Sequence, residues 1–184
     1  MTKLIGIAGS LRQGSYNAAL LRAAADLMPT ESEIEIVSIK DIPLYNGDIE
    51  SNEGIPSTVE LIKTKIANCD GVLLATPEYN HSVPGVMKNV IDWVSRPPED
   101  VPKIFRNRPI TVMGASPGHF GTMLAQEAWS TIFRALGTKP WFGNKVLVSH
   151  ANNVFDANGR LIDEKVKEQL KKFVEGFVAF IKNE

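Results

Sequence analysis

The 184-residue sequence predicts an α/β fold: a doubly wound, five-stranded parallel sheet in the order 2-1-3-4-5, with helices on both faces. Short β-branched apolar runs alternate five times with longer stretches of helical periodicity, and three of those runs are almost continuously apolar, as strands covered on both faces are. Parallel neighbours need crossover connections, and these are almost always right-handed, so the alternation winds helices onto both faces of one sheet.

The first strand is read at residues 4–8, Leu-Ile-Gly-Ile-Ala, and a helix over 16–28 follows it. The second, Ile34 to Val37, is more alternating and suits an edge. A helix over 57–68 leads to the third strand, Val72 to Ala75, and another over 84–95 leads away from it. The fourth strand spans Ile110 to Met113, and a helix over 121–136 connects it to the fifth, Val146 to Val148. In the last helix, over 163–182, Val166, Leu170, Phe173, Val174, Phe177 and Ile181 fall on one stripe at i, i+4, i+7 spacing. Asp41 to Pro56 and Arg96 to Pro109, rich in proline, asparagine and charge, read as surface loops. No internal repeat or linker interrupts the pattern, and the length suits a single domain over 1–184.

Twenty Lys+Arg against 21 Asp+Glu leave a formal charge of -1, without the basic excess that nucleic-acid binding requires. The single cysteine, Cys69, permits no internal disulfide. No basic n-region with a long apolar stretch opens the chain, and no apolar run approaches the roughly 18 residues of a membrane span. A cytoplasmic, non-membrane protein is expected.

In an open α/β sheet ligands bind outside the carboxyl ends of the strands, so the loops after Ala8, Ala75 and Met113 should form one site. After the first strand comes Gly9-Ser10-Leu11-Arg12-Gln13-Gly14-Ser15-Tyr16-Asn17, then an apolar helix. Free N–H groups and the positive end of the helix dipole attract an anion there. Ser10, Ser15 and Asn17 offer neutral donors and Arg12 a permanently charged fork. Ser15 or Asn17 alone reads equally as a helix cap; clustered with Arg12 behind a buried strand, they read as a phosphate cradle. Ser15 stands where a Walker loop needs lysine, and Leu11 where a dinucleotide fingerprint needs glycine, so a mononucleotide fits better than either.

The second loop, residues 76–89, carries Glu78, Tyr79, Asn80 and His81 between Pro77 and Pro84, a rigid polar frame for a planar ligand. His81 reads as an ordinary surface histidine, and Lys88, Asn89 and Asp92 as a solvated face or an interface. The third loop, Gly114-Ala115-Ser116-Pro117-Gly118, contains G-x-S-x-G, the nucleophile elbow of an esterase. Pro117 has no N–H to offer an oxyanion, and the only carboxylate between Ser116 and His150 is Glu127, on a helix. The loop suits a wall around a ring instead.

Taken together, these three loops, with Lys88-Asn89 and Asp92-Trp93, resemble the NAD(P)H-dependent FMN reductase family, most closely its bacterial quinone and chromate reductase branch. The resemblance runs from Lys3 to about Ile181. It implies a flavodoxin-like fold, non-covalent FMN, and ping-pong reduction of quinones by NADH or NADPH, with chromate, azo compounds and ferric complexes as side acceptors. Position by position it implies cofactor contacts at Ser10, Arg12, Ser15, Tyr16 and Asn17, at Pro77, Glu78, Tyr79 and Asn80, and at Ser116 and Gly118. The cofactor carries the chemistry, so no catalytic side chain is expected. It also implies a homodimer or homotetramer, for which Val90, Trp93 and Val94 of the 84–95 helix are the candidate contact, although core packing explains those residues equally well. A flavodoxin-type electron carrier is the alternative, disfavoured by the nearly neutral charge. Three scattered histidines and one cysteine give no metal-ligand spacing, so no metal is expected.

Overall fold

The computed structural model describes residues 1–183; Glu184, the last residue of the expected domain, lies outside them. The β-branched runs form strands β1 (Thr2–Ala8), β2 (Ser32–Val37), β3 (Gly71–Ala75) and β4 (Pro109–Ala115), paired in parallel in the order β2-β1-β3-β4. Registers such as Leu4 opposite Ile34 and Gly71 put the carboxyl ends of β1, β3 and β4 along one margin. As expected, β2 lies at an edge, and its exposed Glu33 and Glu35 explain its alternating pattern.

The fifth position is split. Strand β5 (Lys139–Pro140) pairs with Pro109 and Ile110, and β6 (Leu147–Val148) pairs with Gly114 and Ala115, both beside β4. Trp141 N–H donates to Ile110 C=O at 2.8 Å and Gly114 N–H to Val146 C=O at 3.0 Å, while the exposed residues 142–145 interrupt the ladder between them. The apolar run at 146–148 therefore reveals only the second half of this strand. Lys139 and Pro140 carry no apolar signature and pass unnoticed.

Helices α1 (Tyr16–Asp26) and α8 (Glu164–Lys182), with the one-turn α7 (Ala151–Val154), cover one face, where Leu20, Leu21, Leu170, Phe173 and Val174 pack with Leu73, Ala75 and Met113. Burying each large side chain of this set contributes about 1.5–3 kcal/mol before chain entropy is set against it. Helices α3 (Ser57–Ala67), α4 (Gly85–Val94) and α6 (Met123–Ala135) cover the other face with Ile62, Ile66, Val90, Trp93, Trp129 and Phe133, over Ile5, Ile7, Val72 and Val112. Val90, Trp93 and Val94 are 1%, 0% and 0% exposed. They belong to this core, which corrects their assignment as a subunit contact: an apolar stripe facing the sheet and one facing a partner look alike in sequence.

The two irregular stretches are also more ordered than surface loops. Asp41 to Pro56 contains helix α2 (Gly47–Glu53), capped by Asn46, and it is pinned to α4 where Trp93 Nε1 and Asn89 Nδ2 donate to Pro43 C=O at 2.8 and 2.9 Å. Arg96 to Pro109 holds a 3₁₀ turn (Pro98–Asp100) and α5 (Val101–Ile104), and it buries Ile104 and Phe105. These helices are too short to display a periodicity. Asp100 accepts a 2.7 Å hydrogen bond from Lys63 of α3. Burial works against the charge on Lys63, but its hydrogen bonds to Asp100 and Glu60 outweigh that and hold its pKa above the ordinary lysine value.

Candidate functional site

Three loops leave the carboxyl ends of β1, β3 and β4 and are fastened to one another. Gly9 N–H donates to Ala75 C=O at 2.9 Å and Thr76 N–H to Met113 C=O at 2.8 Å, extending the ladders into the loops. The approach is close enough to demand glycine at Gly114 and to leave little room at Gly9. A Cβ on Gly114 would lie 2.1 Å from Thr122 Oγ1 and 2.4 Å from Thr76 O, and one on Gly9 would lie 3.0 Å from atoms of Pro77, Pro84 and Met87. Larger residues would pry the loops apart.

In the first loop Ser15 is the N-cap of α1, its hydroxyl accepting from Ala18 N–H at 3.2 Å, so the hydroxyl proton is still available to donate. The N–H groups of Tyr16 and Asn17, in the first turn, have no intrahelical carbonyl to reach. Ser10 Oγ accepts from Arg12 N–H at a long 3.4 Å, and the exposed Arg12 guanidinium lies over the Tyr16 ring, 5.3 Å from its centroid. The Tyr16 ring stacks in turn on Phe155 at 5.8 Å. Asn17 does something the sequence did not reveal. Its side chain is 3% exposed and grips Ala115 from both sides, Nδ2 donating to the carbonyl and Oδ1 accepting from the N–H, each at 2.9 Å. It ties the first loop to the end of β4, which leaves its backbone N–H, rather than its amide, facing the cradle region.

Glu78 in the second loop is likewise engaged. Its Oε2 accepts from Leu124 N–H at 2.9 Å and Ala125 N–H at 3.0 Å, capping α6 across the chain where Thr122 provides no side-chain cap. His81 Nδ1 approaches Glu78 Oε1 at 3.5 Å, but its side chain is 80% exposed, in keeping with a surface histidine. Pro77 is buried, and Thr76, which sequence reasoning missed, is 0% exposed, its hydroxyl accepting from Trp129 Nε1 and donating to Pro77 C=O. At the tip Tyr79 and Ser82 exchange backbone hydrogen bonds around Asn80 and His81, whose φ angles of 51° and 61° follow the pattern of a type I′ turn. Asn80 tolerates this region well. The turn leaves the Tyr79 ring 48% exposed beside the site.

In the third loop Ser116 Oγ accepts from Gly118 N–H at 3.0 Å, a local turn that holds the wall in shape. Ser116 N–H donates to Val148 C=O, and Gly118 C=O accepts from His150 N–H. Among the described residues no histidine hydrogen-bonds to Ser116; the Nε2 of His150 faces His119 instead. The elbow motif therefore lacks the base an esterase needs. Lys88 pairs with Asp92 on the surface of α4, and Asn89 holds the 43–45 segment through Tyr45 N–H, so neither joins the site.

The sequence profile described as NADPH-dependent FMN reductase matches residues 2–153. The chain is 43% identical over 180 residues to a NAD(P)H-dependent FMN reductase of Pseudomonas aeruginosa, with 98% of this chain and 95% of that protein covered. It is 36% identical over 184 residues to a quinone reductase of Escherichia coli, with 97% and 95% covered. Among solved structures it is similar to FerB, a flavoenzyme NAD(P)H:(acceptor) oxidoreductase of Paracoccus denitrificans, with a TM-score of 0.88, 33% identity and coverage of 100% and 98%.

Proposed function

The chain belongs to the NADPH-dependent FMN reductase family, and from that premise we propose that it is an FMN-dependent oxidoreductase passing electrons from NADH or NADPH to quinones. The observation that carries the reading is the donor set of the first loop, opening on the margin where the second and third loops meet. Arg12, the Ser10 and Ser15 hydroxyls and the free N–H groups of Tyr16 and Asn17 fit a terminal phosphate at a helix N-terminus. Pro77 to Asn80 and Ser116 to Gly118 would hold the ring, with Tyr79 offering an exposed aromatic face and the loop backbone offering donors. Asn17 and Glu78 act in this reading through the loops they anchor. Bound FMN would supply a hydride acceptor that is also a two-electron donor, serving the two substrates in turn. The protein's share is to hold that ring rigidly and leave one face open, which needs no acid, base or nucleophile among its side chains.

The same reading takes 1–184 as one FMN-binding domain in the cytoplasm, with chromate, azo compounds and ferric complexes as secondary acceptors. It includes a homodimer or homotetramer. Leu11, Tyr79, Phe120 and Leu124, spread over the three loops and the start of α6, are 54%, 48%, 69% and 46% exposed, an apolar fringe that a second copy would cover. The purified protein, incubated with FMN and desalted, should show a visible flavin band at one per chain. Anaerobic NADH or NADPH should bleach the band, and benzoquinone should restore it. A protein that retains no flavin, or whose flavin neither nucleotide bleaches, would contradict the proposal.

A further inference from the structure

Of the three histidines, the fold brings two together that stand 31 residues apart in the chain. His119 Nδ1 and His150 Nε2 lie 3.2 Å apart, with ring centroids separated by 5.4 Å and planes at 68°. Both side chains are exposed, and nothing described above uses either ring. Their backbones are held in place. His150 N–H donates to Gly118 C=O at 3.2 Å, Ala151 N–H to Ser116 C=O at 3.1 Å, and Ser116 N–H to Val148 C=O at 2.9 Å, stitching the third loop to the segment after β6. Phe120 meets the His119 ring edge-on at 5.3 Å. His150 itself has φ 48°, a left-handed conformation in which histidine is one of the enriched non-glycine residues.

Two imidazole nitrogens facing each other share one proton, or they direct both lone pairs at one cation. An ion about 2.1 Å from each nitrogen, the usual zinc–imidazole distance, would subtend an N–metal–N angle of roughly 100° across the observed gap, between octahedral and tetrahedral values. Imidazole suits zinc, copper and nickel, whereas calcium and magnesium want oxygen ligands. No cluster of three or more His, Cys, Asp or Glu suited to a metal occurs among the described residues, so water would have to complete the shell of an ion held here. We propose that His119 and His150 form a two-histidine site for a divalent transition-metal ion on the third loop, beside the candidate site. An ion there would lock the third loop to the 148–151 segment.

The test is calorimetric titration of the untagged protein with Zn²⁺, together with the Cu²⁺ EPR spectrum. Zn²⁺ should bind at one per chain, and His119→Ala and His150→Ala should each weaken binding at least tenfold. His81→Ala, which alters the remaining histidine, should leave it unchanged. The Cu²⁺ spectrum should show splitting from two nitrogens, reduced in either variant. Both rings are exposed, so the variants should fold; His119→Gln gives a second, milder removal of the ligand. Absence of Zn²⁺ binding, binding indifferent to both substitutions, or binding lost equally in His81→Ala would overturn the assignment. None of these readouts depends on flavin or turnover.

Discussion

Replacing Glu78 by alanine separates a structural role for this carboxylate from a ligand-binding one. Its Oε2 accepts the N–H groups of Leu124 and Ala125, at 2.9 and 3.0 Å, in the first turn of a 13-residue helix. Each hydrogen bond to a charged acceptor is worth about 1.5–3 kcal/mol where water cannot replace it. Leu124 is exposed and water can reach its N–H, whereas Ala125 is 0% exposed and its N–H would be left without a partner. The loss therefore falls near the upper end of N-cap substitutions, about 2 kcal/mol. For a chain of this length that lowers Tm by about 4–8 °C. Glu78→Gln keeps an oxygen that can accept both bonds and loses only the charge–dipole attraction, about 0.3–1 kcal/mol. Urea and thermal unfolding of the flavin-free protein measure both values. A Glu78→Ala variant within about 0.5 kcal/mol of wild type, or a Glu78→Gln variant just as damaged, would refute the capping role.

Other residues give equally direct outcomes. Asn17→Ala strips both partners from the buried backbone of Ala115 and should cost about 2–6 kcal/mol in urea unfolding, twice the usual penalty of about 1–3 kcal/mol for one unsatisfied group. Arg12→Ala should leave stability intact but weaken FMN binding by about 1.5–3 kcal/mol, read from flavin fluorescence titration. Ser116→Ala should keep NAD(P)H:quinone turnover within about tenfold, since its hydroxyl shapes a turn and attacks nothing. The hydrogen bond from Lys63 holds the Asp100 carboxyl below its ordinary value of 3.8. A depressed carboxylate contributes stability above its unfolded pKa and loses it as pH falls through the folded one, so the deficit of Asp100→Asn should be constant near neutrality, begin to shrink only near the ordinary value of 3.8, and disappear at still lower pH, once the folded carboxyl is protonated. Urea midpoints measured for the two proteins across that range check it.

The parts of the molecule that follow from short-range pattern were legible in the sequence. Buried strands announce themselves by continuous apolar runs, and the α8 stripe buried Leu170, Phe173, Val174 and Phe177 as its spacing required. The margin where the loops meet followed from strand order alone. What stayed hidden were partners chosen by the fold across long sequence distances. Asn17 reads as a phosphate donor until Ala115, 98 residues on, is seen against its amide. Glu78 reads as a ring contact until the start of α6 appears beside it, and no spacing joins His119 to His150. Short elements without periodicity, α2, α5 and β5, escaped for a different reason: two to seven residues hold too few apolar positions to form a signal.

The broken fifth strand bears on how copies of this chain can meet. A sheet with a long, regular outer strand invites a neighbour to extend its ladder, the route to fibrils and swapped assemblies. Here one border offers only two pairs of ladder residues separated by the exposed Phe142 to Lys145 segment, too ragged for a template. The opposite border presents alternating charge, with Glu33 paired to Lys3 at 3.9 Å and Glu35 to Lys65, so an incoming strand would have to displace ion pairs before bonding. Growth by strand addition is thus discouraged at both ends of the sheet.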